Sequence, residues 1–178
     1  MIDLYKYSDK EIKELLKSMI ILVDSREQDN KHLTEYFDKK KIPYRVEKLD
    51  FADYSFCLPK NEGLGILRDL YFTDKISVER KNSLEELSGN LTNDRLRLES
   101  EFIRAKGKVH LLIEGASYED ILNHNYKTEY VPQSFVASLH SFADRYNFNI
   151  QFIKDKKYSA QFIYFTFYYH LRNWLMNK

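Results

Sequence analysis

Two patterns of hydrophobic residues alternate along the chain, one typical of amphipathic helices and the other of buried strands. Ser8 and Glu11 have the spacing of a capping box, which predicts a first helix over about residues 8–19. The continuous aliphatic run at residues 20–23 then predicts a strand that is covered on both faces. The chain therefore begins with the helix–strand order of an α/β protein.

The next part of the chain predicts further strands. Residues 44–49 and 53–58 have the pattern of two strands separated by a short turn, so we expect an antiparallel hairpin early in the fold. Residues 59–74 contain one proline and two glycines, which indicates a loop or hairpin excursion. Residues 76–79 return to the strand pattern.

The second half repeats the alternation of helix and strand. Asn93 can cap a helix over about residues 94–106 that ends at Gly107. Pro132 suits the first turn of a helix that reaches about Tyr146. Further helices are expected after Asn30 and around residues 84–87, further strands at residues 109–113 and 149–153, and a long aromatic helix from about residue 157.

Together these elements predict an α/β fold with a central mixed β-sheet flanked by helices. No repeat, low-complexity tract or linker rich in Pro, Gly or Ser divides the sequence, so we expect a single domain over residues 1–178. Its expected parts are an N-terminal helix at about 8–19, a core at about 20–154 and an aromatic C-terminal helix at about 157–177.

The composition, with 43% hydrophobic and 31% charged residues, is that of an ordinary globular protein. The single cysteine excludes an internal disulfide and suits a reducing compartment. Residues 1–6 lack the apolar centre of a signal peptide, and no stretch approaches the roughly 20 apolar residues that span a bilayer. We therefore expect a soluble intracellular protein, in the cytoplasm, nucleoid or nucleus, without a membrane partner.

The net charge of +1 differs from the strongly basic charge of many nucleic-acid-binding proteins. An acidic metal site would offset a basic binding surface in this total, so the positions of the charges are more informative. Ionisable residues lie at the ends of the predicted strands, where the active sites of α/β sheets gather. These residues are Asp24, Arg26, Glu27, Asp53, Glu79, Lys81 and Glu114.

Glu79 and Lys81 are two residues apart on a predicted strand, so both side chains project to the same face. A carboxylate in this position can bind Mg²⁺. The lysine can orient or deprotonate an attacking water, or stabilise charge on a phosphate, and Asp53 can supply a second carboxylate. The spacing alone is equally compatible with an ion pair at the surface.

Four blocks occur in a characteristic order, namely Val23-Asp24-Ser25-Arg26-Glu27, Ala52-Asp53-Tyr54, Val78-Glu79-Arg80-Lys81 and Ile113-Glu114-Gly115. In this order they resemble the XPF/Mus-type nuclease domain, which belongs to the PD-(D/E)XK, or restriction-endonuclease-like, superfamily. The similarity extends over about residues 20–153. The resemblance implies a restriction-endonuclease-like fold and a metal-dependent endonuclease that hydrolyses phosphodiester bonds in DNA.

The resemblance also implies a role for individual residues. It implies that Asp53 and Glu79 bind Mg²⁺ or Mn²⁺ and that Lys81 is the catalytic lysine. It implies that Asp24, Arg26 and Glu27 line the same catalytic site. It also implies that Arg26, Arg80 and Arg95 contact DNA. Arg80 is equally suited to supporting the site, Arg95 to a solvent-exposed helix position, and Glu114 to closing a turn.

Two positions depart from the family's pattern. The family has glycine before the metal-binding aspartate, where this chain has Ala52 and so loses backbone freedom. It also has an aspartate where this chain has Glu85. Neither change removes a metal-binding carboxylate. Non-catalytic members of the family have lost the acidic residues that this chain keeps, which favours activity.

The predicted C-terminal helix is apolar on almost every side, a pattern that requires cover all round. Core packing, a homodimer interface of the kind that the resemblance implies, and a stacking surface for single-stranded DNA are all compatible with it. We expect no tandem helix-hairpin-helix module of the kind that many relatives carry, because the sequence leaves no room for one before Lys178. We therefore expect branched DNA to be bound by this domain, its dimer mate or a separate DNA-binding partner protein.

We therefore expect an endonuclease that depends on Mg²⁺ or Mn²⁺ and acts on branched or flapped DNA as a homodimer. The alternative is a non-catalytic DNA-binding or partner subunit that retains the nuclease fold. A third interpretation is a restriction or mobile-element nuclease of the same superfamily, with a preference for DNA sequence instead of DNA shape.

Overall fold

The computed structural model describes residues 6–177, in which a seven-stranded sheet lies between two layers of helices. The helices are α1 Asp9–Ser18, α2 Lys31–Lys40, α3 Leu84–Leu91, α4 Arg95–Arg104, α5 Tyr118–Leu122, α6 Pro132–Tyr146 and α7 Ser159–Met176. The strands are β1 Ile20–Asp24, β2 Tyr44–Glu47, β3 Tyr54–Leu58, β4 Leu70–Tyr71, β5 Ile76–Lys81, β6 Lys108–Glu114 and β7 Phe148–Ile153. Residues 1–5, which bear on the expected absence of a signal peptide, and Lys178 lie outside the described range.

The sheet is mixed, with the strand order β2-β1-β3-β5-β6-β7 and the short β4 beside β3. β1 is parallel to β2, and β5, β6 and β7 are parallel to one another. β3 joins the two groups, because it runs antiparallel to both β1 and β5. The predicted fold class, a central mixed sheet flanked by helices, is confirmed.

The predicted early hairpin is wrong, because β1 lies between β2 and β3. Val23 of β1 pairs with Val46 of β2 on one side and with Tyr54 of β3 on the other. The burial of the two strands explains the arrangement. Every residue of β3 is buried, which requires an interior position, whereas β2 is partly exposed and lies at the sheet edge.

The two faces of the sheet have separate cores. On one face, here called the α7 face, α1, α2 and α7 pack around rings such as Phe56 and Phe167. On the other, the α4 face, α3 to α6 pack around rings such as Phe102 and Phe135. Side chains along each strand alternate between the faces, so a strand-end residue is assigned to a face by its position.

The helix α7 is buried on one side only. Its buried stripe consists of Ala160, Ile163, Phe167, Leu171 and Leu175. Phe165 and Tyr169 on another side stay 40% and 54% exposed, so the core formed by residues 6–177 does not cover the helix all round. None of the helices within residues 6–177 combines the length and the apolar content that crossing a membrane requires.

Several helix boundaries follow from local signals in the sequence. The capping box of Ser8 and Glu11 begins α1, and Pro132 begins α6, as predicted. The prediction for α4 is wrong at both ends, because the helix begins after Asp94 and ends at Arg104. The short α5, which begins with a capping box formed by Ser117 and Asp120, was not predicted.

Ala52 adopts a left-handed backbone conformation, with a φ of 62°, directly before β3. This is the position at which the resembling family has glycine. A Cβ in this region costs on the order of 1–2 kcal/mol, because it crowds the following carbonyl oxygen. Glycine has no such cost, although it makes the unfolded chain more flexible.

We expect Ala52→Gly to stabilise the protein by about 0.5–1 kcal/mol, because relief of the backbone strain exceeds the added unfolded-state entropy. The matched control is Ala143→Gly in the interior of α6, which should destabilise the protein by about 1 kcal/mol. Urea unfolding followed by circular dichroism measures both. Loss of stability in both variants would contradict the strain at Ala52.

Candidate functional site

The strand β5 ends in three consecutive charged residues, Glu79, Arg80 and Lys81, and all three are buried. Because strand side chains alternate, Glu79 and Lys81 lie on the α4 face, where they follow Ser77 in the same register. Arg80 lies on the α7 face together with Val78, which belongs to that core. The sheet thus divides one run of charge into two clusters.

Asp53 lies beside the end of β5, although it is distant from it in sequence. Its backbone N–H donates to the Val78 carbonyl oxygen at 3.2 Å. Its carboxylate Oδ2 accepts from the Arg80 backbone N–H at 2.7 Å. Antiparallel pairing of β3 with β5, in which Tyr54 lies opposite Val78, therefore holds the Asp53 carboxylate against the catalytic candidates of β5.

These side chains line a cleft of about 360 Å³ on the α4 face. The carboxylates that line it are Asp24, Asp50, Asp53, Glu79, Glu86 and Glu101. The cations that line it are Arg26, Lys81, Arg97 and Arg104. Five of the residues that sequence analysis selected, namely Asp24, Arg26, Asp53, Glu79 and Lys81, therefore meet at one place.

The carboxylates in the cleft are not balanced by cations. Burial, together with the neighbouring charges of Glu79 and Glu27, raises the pKa of Asp53 well above its ordinary value. Lys81 Nζ lies 2.8 Å from Glu79 Oε1 and 3.7 Å from Glu86 Oε1. Burial opposes the charge of Lys81, but the attraction and hydrogen bond of Glu79 outweigh it and raise the Lys81 pKa. Lys81 is therefore a cation at neutral pH.

Asp24 orients Arg26 at the edge of the cleft. The Asp24 carboxylate accepts hydrogen bonds from Arg26 Nε and Nη2, both at 2.8 Å, and from the Leu49 backbone N–H at 2.8 Å. Burial alone would raise the pKa of Asp24, but these hydrogen bonds outweigh it and lower that pKa. The Arg26 side chain is 63% exposed, so it is oriented by a buried partner and still accessible to a ligand.

Arg80 belongs to a separate charged cluster on the α7 face. Its guanidinium donates to Glu114 Oε2 at 2.7 Å, to Glu27 and to the Asp29 carbonyl oxygen at 2.8 Å. Glu114 is fully buried, and His32 Nε2 lies 2.9 Å from its other oxygen. Burial opposes the charge on Arg80, but the carboxylate of Glu27 outweighs it and raises the pKa of Arg80.

This cluster separates Glu27 and Arg80 from the cleft. The Arg80 side chain is only 4% exposed and already paired, which leaves it inaccessible to DNA. A supporting role, the other interpretation of Arg80 from the sequence, agrees with these contacts. Glu114 also has more than a turn-closing role, because its carboxylate is a buried partner of Arg80.

Arg95 is not among the residues that line the cleft. Its Cζ lies 4.8 Å from the centre of the Phe142 ring, and its Nε lies 3.6 Å from Glu99. Helical periodicity explains this position, because Arg95 lies on the same side of α4 as the buried Leu98 and Phe102 and therefore packs beside the core. Arg95 therefore lies outside the cleft, and its DNA contact stays a prediction.

Sequence analysis missed five of the charged residues that line the cleft. They are Asp50, Glu86, Arg97, Glu101 and Arg104. Glu86 had a detectable signal, because Ser83 caps α3 and Glu86 stands three residues later. Glu85, which was compared with the family's aspartate, instead accepts from the Lys127 backbone N–H at 3.1 Å. No pattern in the sequence indicated which side of α4 faces the cleft.

Within residues 6–177 no three His, Cys, Asp or Glu side chains are arranged as a complete metal cage. The cleft nevertheless offers two neighbouring carboxylates, Asp53 and Glu79, of which one has a strongly raised pKa. Mg²⁺ is commonly bound by one or two carboxylates and keeps several waters. This donor set therefore fits Mg²⁺ or Mn²⁺.

A larger cavity of about 610 Å³ lies on the α7 face. Among the described residues, its lining includes Tyr169, Trp174, His110 and His170 but no carboxylate. Mg²⁺ is held mainly by carboxylate oxygens, and the described lining of this cavity includes none. The smaller acidic cleft is therefore the better candidate site for that chemistry.

Comparisons with known proteins agree with the fold. XPF from Aeropyrum pernix has a TM-score of 0.59 and 19% identity, and the match covers 87% of this chain and 60% of that chain. The complex of XPF from Aeropyrum pernix with DNA has a TM-score of 0.58 and 19% identity, covering 87% and 64%. The chain thus spans less than two thirds of these proteins. No curated protein sequence matches it.

The shared fold confirms the expected restriction-endonuclease-like architecture. The ERCC4 domain family matches residues 23–166, a range that includes Asp24, Asp53, Glu79 and Lys81. This match covers most of the chain and confirms the resemblance to the XPF-type nuclease domain. The chain belongs to the ERCC4 domain family.

Proposed function

We propose that this chain is a DNA endonuclease that depends on Mg²⁺ or Mn²⁺ and hydrolyses phosphodiester bonds. The observation that carries the proposal is the convergence of Asp53, Glu79 and Lys81 in one cleft. Membership of the ERCC4 domain family supports it. The raised pKa of Asp53 supports it as well, because a bound cation would compensate the excess negative charge.

Asp53 and Glu79 are the residues that would hold the metal ion. When bound, such an ion lowers the pKa of a water molecule and neutralises charge that develops on the phosphate. Lys81 stays protonated beside Glu79, so we assign it the role of a hydrogen-bond donor and positive charge for the phosphate. Arg26, oriented by Asp24, would bind a second phosphate oxygen at the edge of the cleft.

Glu27 and Arg80 act on this site from the other face of the sheet. The Arg80 backbone N–H holds the Asp53 carboxylate, and the Arg80 side chain is anchored by Glu27 and Glu114. We therefore assign Arg80 and Glu27 as positioning residues that fix the end of β5. Neither would touch the substrate.

We propose branched or flapped DNA as the substrate class, on the basis of the resemblance to XPF/Mus-type nucleases. The solved complex of XPF from Aeropyrum pernix contains DNA, and the match extends over 87% of the present chain. We also propose that two copies pair through the outer side of α7. Phe165, Tyr169 and Met176 lie four or seven residues apart there and are 40%, 54% and 53% exposed.

We expect Asp53→Asn, Glu79→Gln and Lys81→Ala each to lower the cleavage rate at least about a thousandfold, which corresponds to about 4 kcal/mol of transition-state stabilisation. Labelled duplex, flap, fork and four-way-junction DNA with Mn²⁺ provide the assay. Glu85→Gln is the matched control and should cleave like the wild type, because Glu85 lies outside the cleft.

Residual nicking by the three variants within about tenfold of the wild-type rate would contradict the assignment, since about 1.4 kcal/mol separates each factor of ten. If the wild-type chain binds these DNA structures but cuts none of them, the non-catalytic partner subunit is the correct alternative. Equal cleavage of duplex and branched DNA would contradict the proposed substrate class and leave the chemistry intact.

The raised pKa of Asp53 also predicts the effect of pH on stability. Because the folded-state pKa lies above its ordinary value of 3.8, the ionised carboxylate destabilises the metal-free protein at neutral pH, and this cost disappears as the pH falls towards that value. We therefore expect Asp53→Asn to raise the metal-free Tm at pH 7 by about 2–4 °C, which corresponds to about 1 kcal/mol.

Two further measurements complete this prediction. The gain from Asp53→Asn should shrink as the pH is lowered towards 4, and Mn²⁺ should stabilise the wild type more than the variant. Thermal unfolding with and without Mn²⁺, together with isothermal titration of Mn²⁺, provides the data. A lower metal-free Tm for Asp53→Asn at pH 7 would show that the site is not strained by excess negative charge.

The proposed homodimer predicts a change of mass in solution. The double variant Phe165→Ser and Tyr169→Ser should be monomeric, whereas the wild type should have twice the mass of one chain, because the variant removes the exposed apolar side of α7. Light scattering after size-exclusion chromatography measures this. The control Leu67→Ser, which changes a loop residue that is 70% exposed, should stay dimeric. A monomeric wild type would refute the interface.

A further inference from the structure

We propose that α4 is the DNA-docking helix of this chain, with Arg97 and Arg104 each binding a phosphate of the strand that enters the cleft. The inference rests on the proposed function and names the surface that holds its substrate. Both arginines line the same cleft as Asp53 and Glu79. The ligand class is the phosphodiester backbone, which carries no base sequence information by itself.

The two arginines share one side of α4. Arg97, Glu101 and Arg104 are four and three residues apart, so their side chains form a stripe along the helix. All three line the cleft. The buried stripe of α4, which contains Leu98 and Phe102, anchors the helix on the core and thereby fixes the direction of the arginine stripe.

Both arginines are accessible and weakly engaged within the chain. The Arg97 side chain is 65% exposed, and its ion pair with Asp94, at 3.5 Å, is also at the surface. Such a pair contributes little to stability and is easily exchanged for another anion. Arg104 is exposed, and no carboxylate within residues 6–177 forms an ion pair with it.

The charges of the cleft are arranged in two levels. The half-buried Asp53 and the buried Glu79 suit a cation but would repel a phosphodiester. The exposed arginines of α4 supply the opposite charge at the edge, where a polyanion would first make contact. Leu96 and Ile103, which precede the two arginines and lie on the neighbouring stripe of α4, are 78% and 70% exposed, so the helix is open to solvent beside the arginine stripe as well.

The spacing of the arginines matches that of DNA phosphates. Seven residues of α-helix rise about 10.5 Å. Phosphates on one strand of B-DNA are spaced about 3.4 Å along the helix axis, and winding of the backbone makes their direct separation larger. Arg97 and Arg104 therefore fit two phosphates on the same strand that are two or three nucleotides apart.

The first experiment measures the affinity for flap DNA in EDTA, so that binding is separated from cleavage. Each phosphate contact contributes about 0.9 to the slope of log K against log salt concentration. Arg97→Ala and Arg104→Ala should each reduce that slope by about 0.9, and the double variant by about 1.8. The double variant Arg97→Lys and Arg104→Lys keeps both charges and should retain most of the slope.

Arg68→Ala is the matched control. Arg68 is an exposed arginine in the loop before β4, at the end of β3 that is remote from Asp53. Its replacement should leave both affinity and salt slope unchanged. An equal loss of slope in the Arg68 variant would show a non-specific effect of net charge and would overturn the proposal.

The second experiment replaces single phosphates by uncharged methylphosphonates. Two sensitive positions are expected on one strand, two or three nucleotides apart. Arg97→Ala should abolish the sensitivity at one position, and Arg104→Ala should abolish it at the other. Unchanged sensitivity at both positions in the two variants would overturn the assignment.

The failure of this inference differs from the failure of the proposed function. Arginine-dependent binding without cleavage in Mn²⁺ would support the docking helix and refute the nuclease. Cleavage with an unchanged salt slope and KM in the arginine variants would refute the docking helix alone. Absence of DNA binding by the wild-type chain would refute both.

Discussion

The burial of three consecutive charges at the end of β5 is the constraint on which the rest of the structure depends. A buried charge without a partner is strongly destabilising, on the order of 3–5 kcal/mol, so Glu79, Arg80 and Lys81 each require an opposite charge. Because strand side chains alternate, Arg80 lies on the opposite face from Glu79 and Lys81, so its partners must come from other parts of the chain. Glu27 and Glu114 pair with Arg80 on the α7 face, whereas Glu79 and Lys81 pair with each other on the α4 face.

The two clusters differ in their balance of charge, and that difference separates support from chemistry. On the α7 face the charges are enclosed, and Glu114 and the Arg80 side chain are almost inaccessible to solvent. On the α4 face the carboxylates outnumber the cations, and burial together with the charges of Glu79 and Glu27 raises the pKa of Asp53. Ala52, which has a left-handed backbone, directly precedes Asp53. Local strain and excess charge thus meet at the proposed metal ligand, as is common at functional sites.

Much of the fold and of the site could be predicted from the sequence, because the relevant signals are local. The capping box at Ser8, the aliphatic run of β1 and the proline at the start of α6 marked elements correctly. The spacing of Glu79 and Lys81 placed both on one face, and the order of the acidic blocks suggested the family. The partners of β2 and β3 could not be predicted, because pairing depends on contacts between distant segments.

The direction of α4 could not be predicted either, for a related reason. Its pattern contains arginines on several sides, and only packing of Leu98 and Phe102 on the core decides which of them reaches the cleft. Arg95 is consequently packed on Phe142, while Arg97 and Arg104 line the site. Packing also decides the role of Arg80. The sequence predicted a DNA contact, whereas the structure buries the Arg80 side chain in an ion pair with Glu114.

By itself the sequence determined the α/β class, most helices and strands, and the carboxylates and lysine at the strand ends. These follow from periodicity and residue type, which act over a few residues. The tertiary structure alone decided that Asp53 lies against β5, that Arg80 pairs with Glu114, and which side of α4 faces the cleft. Each depends on how distant segments share a buried surface, and no local pattern in the chain specifies that.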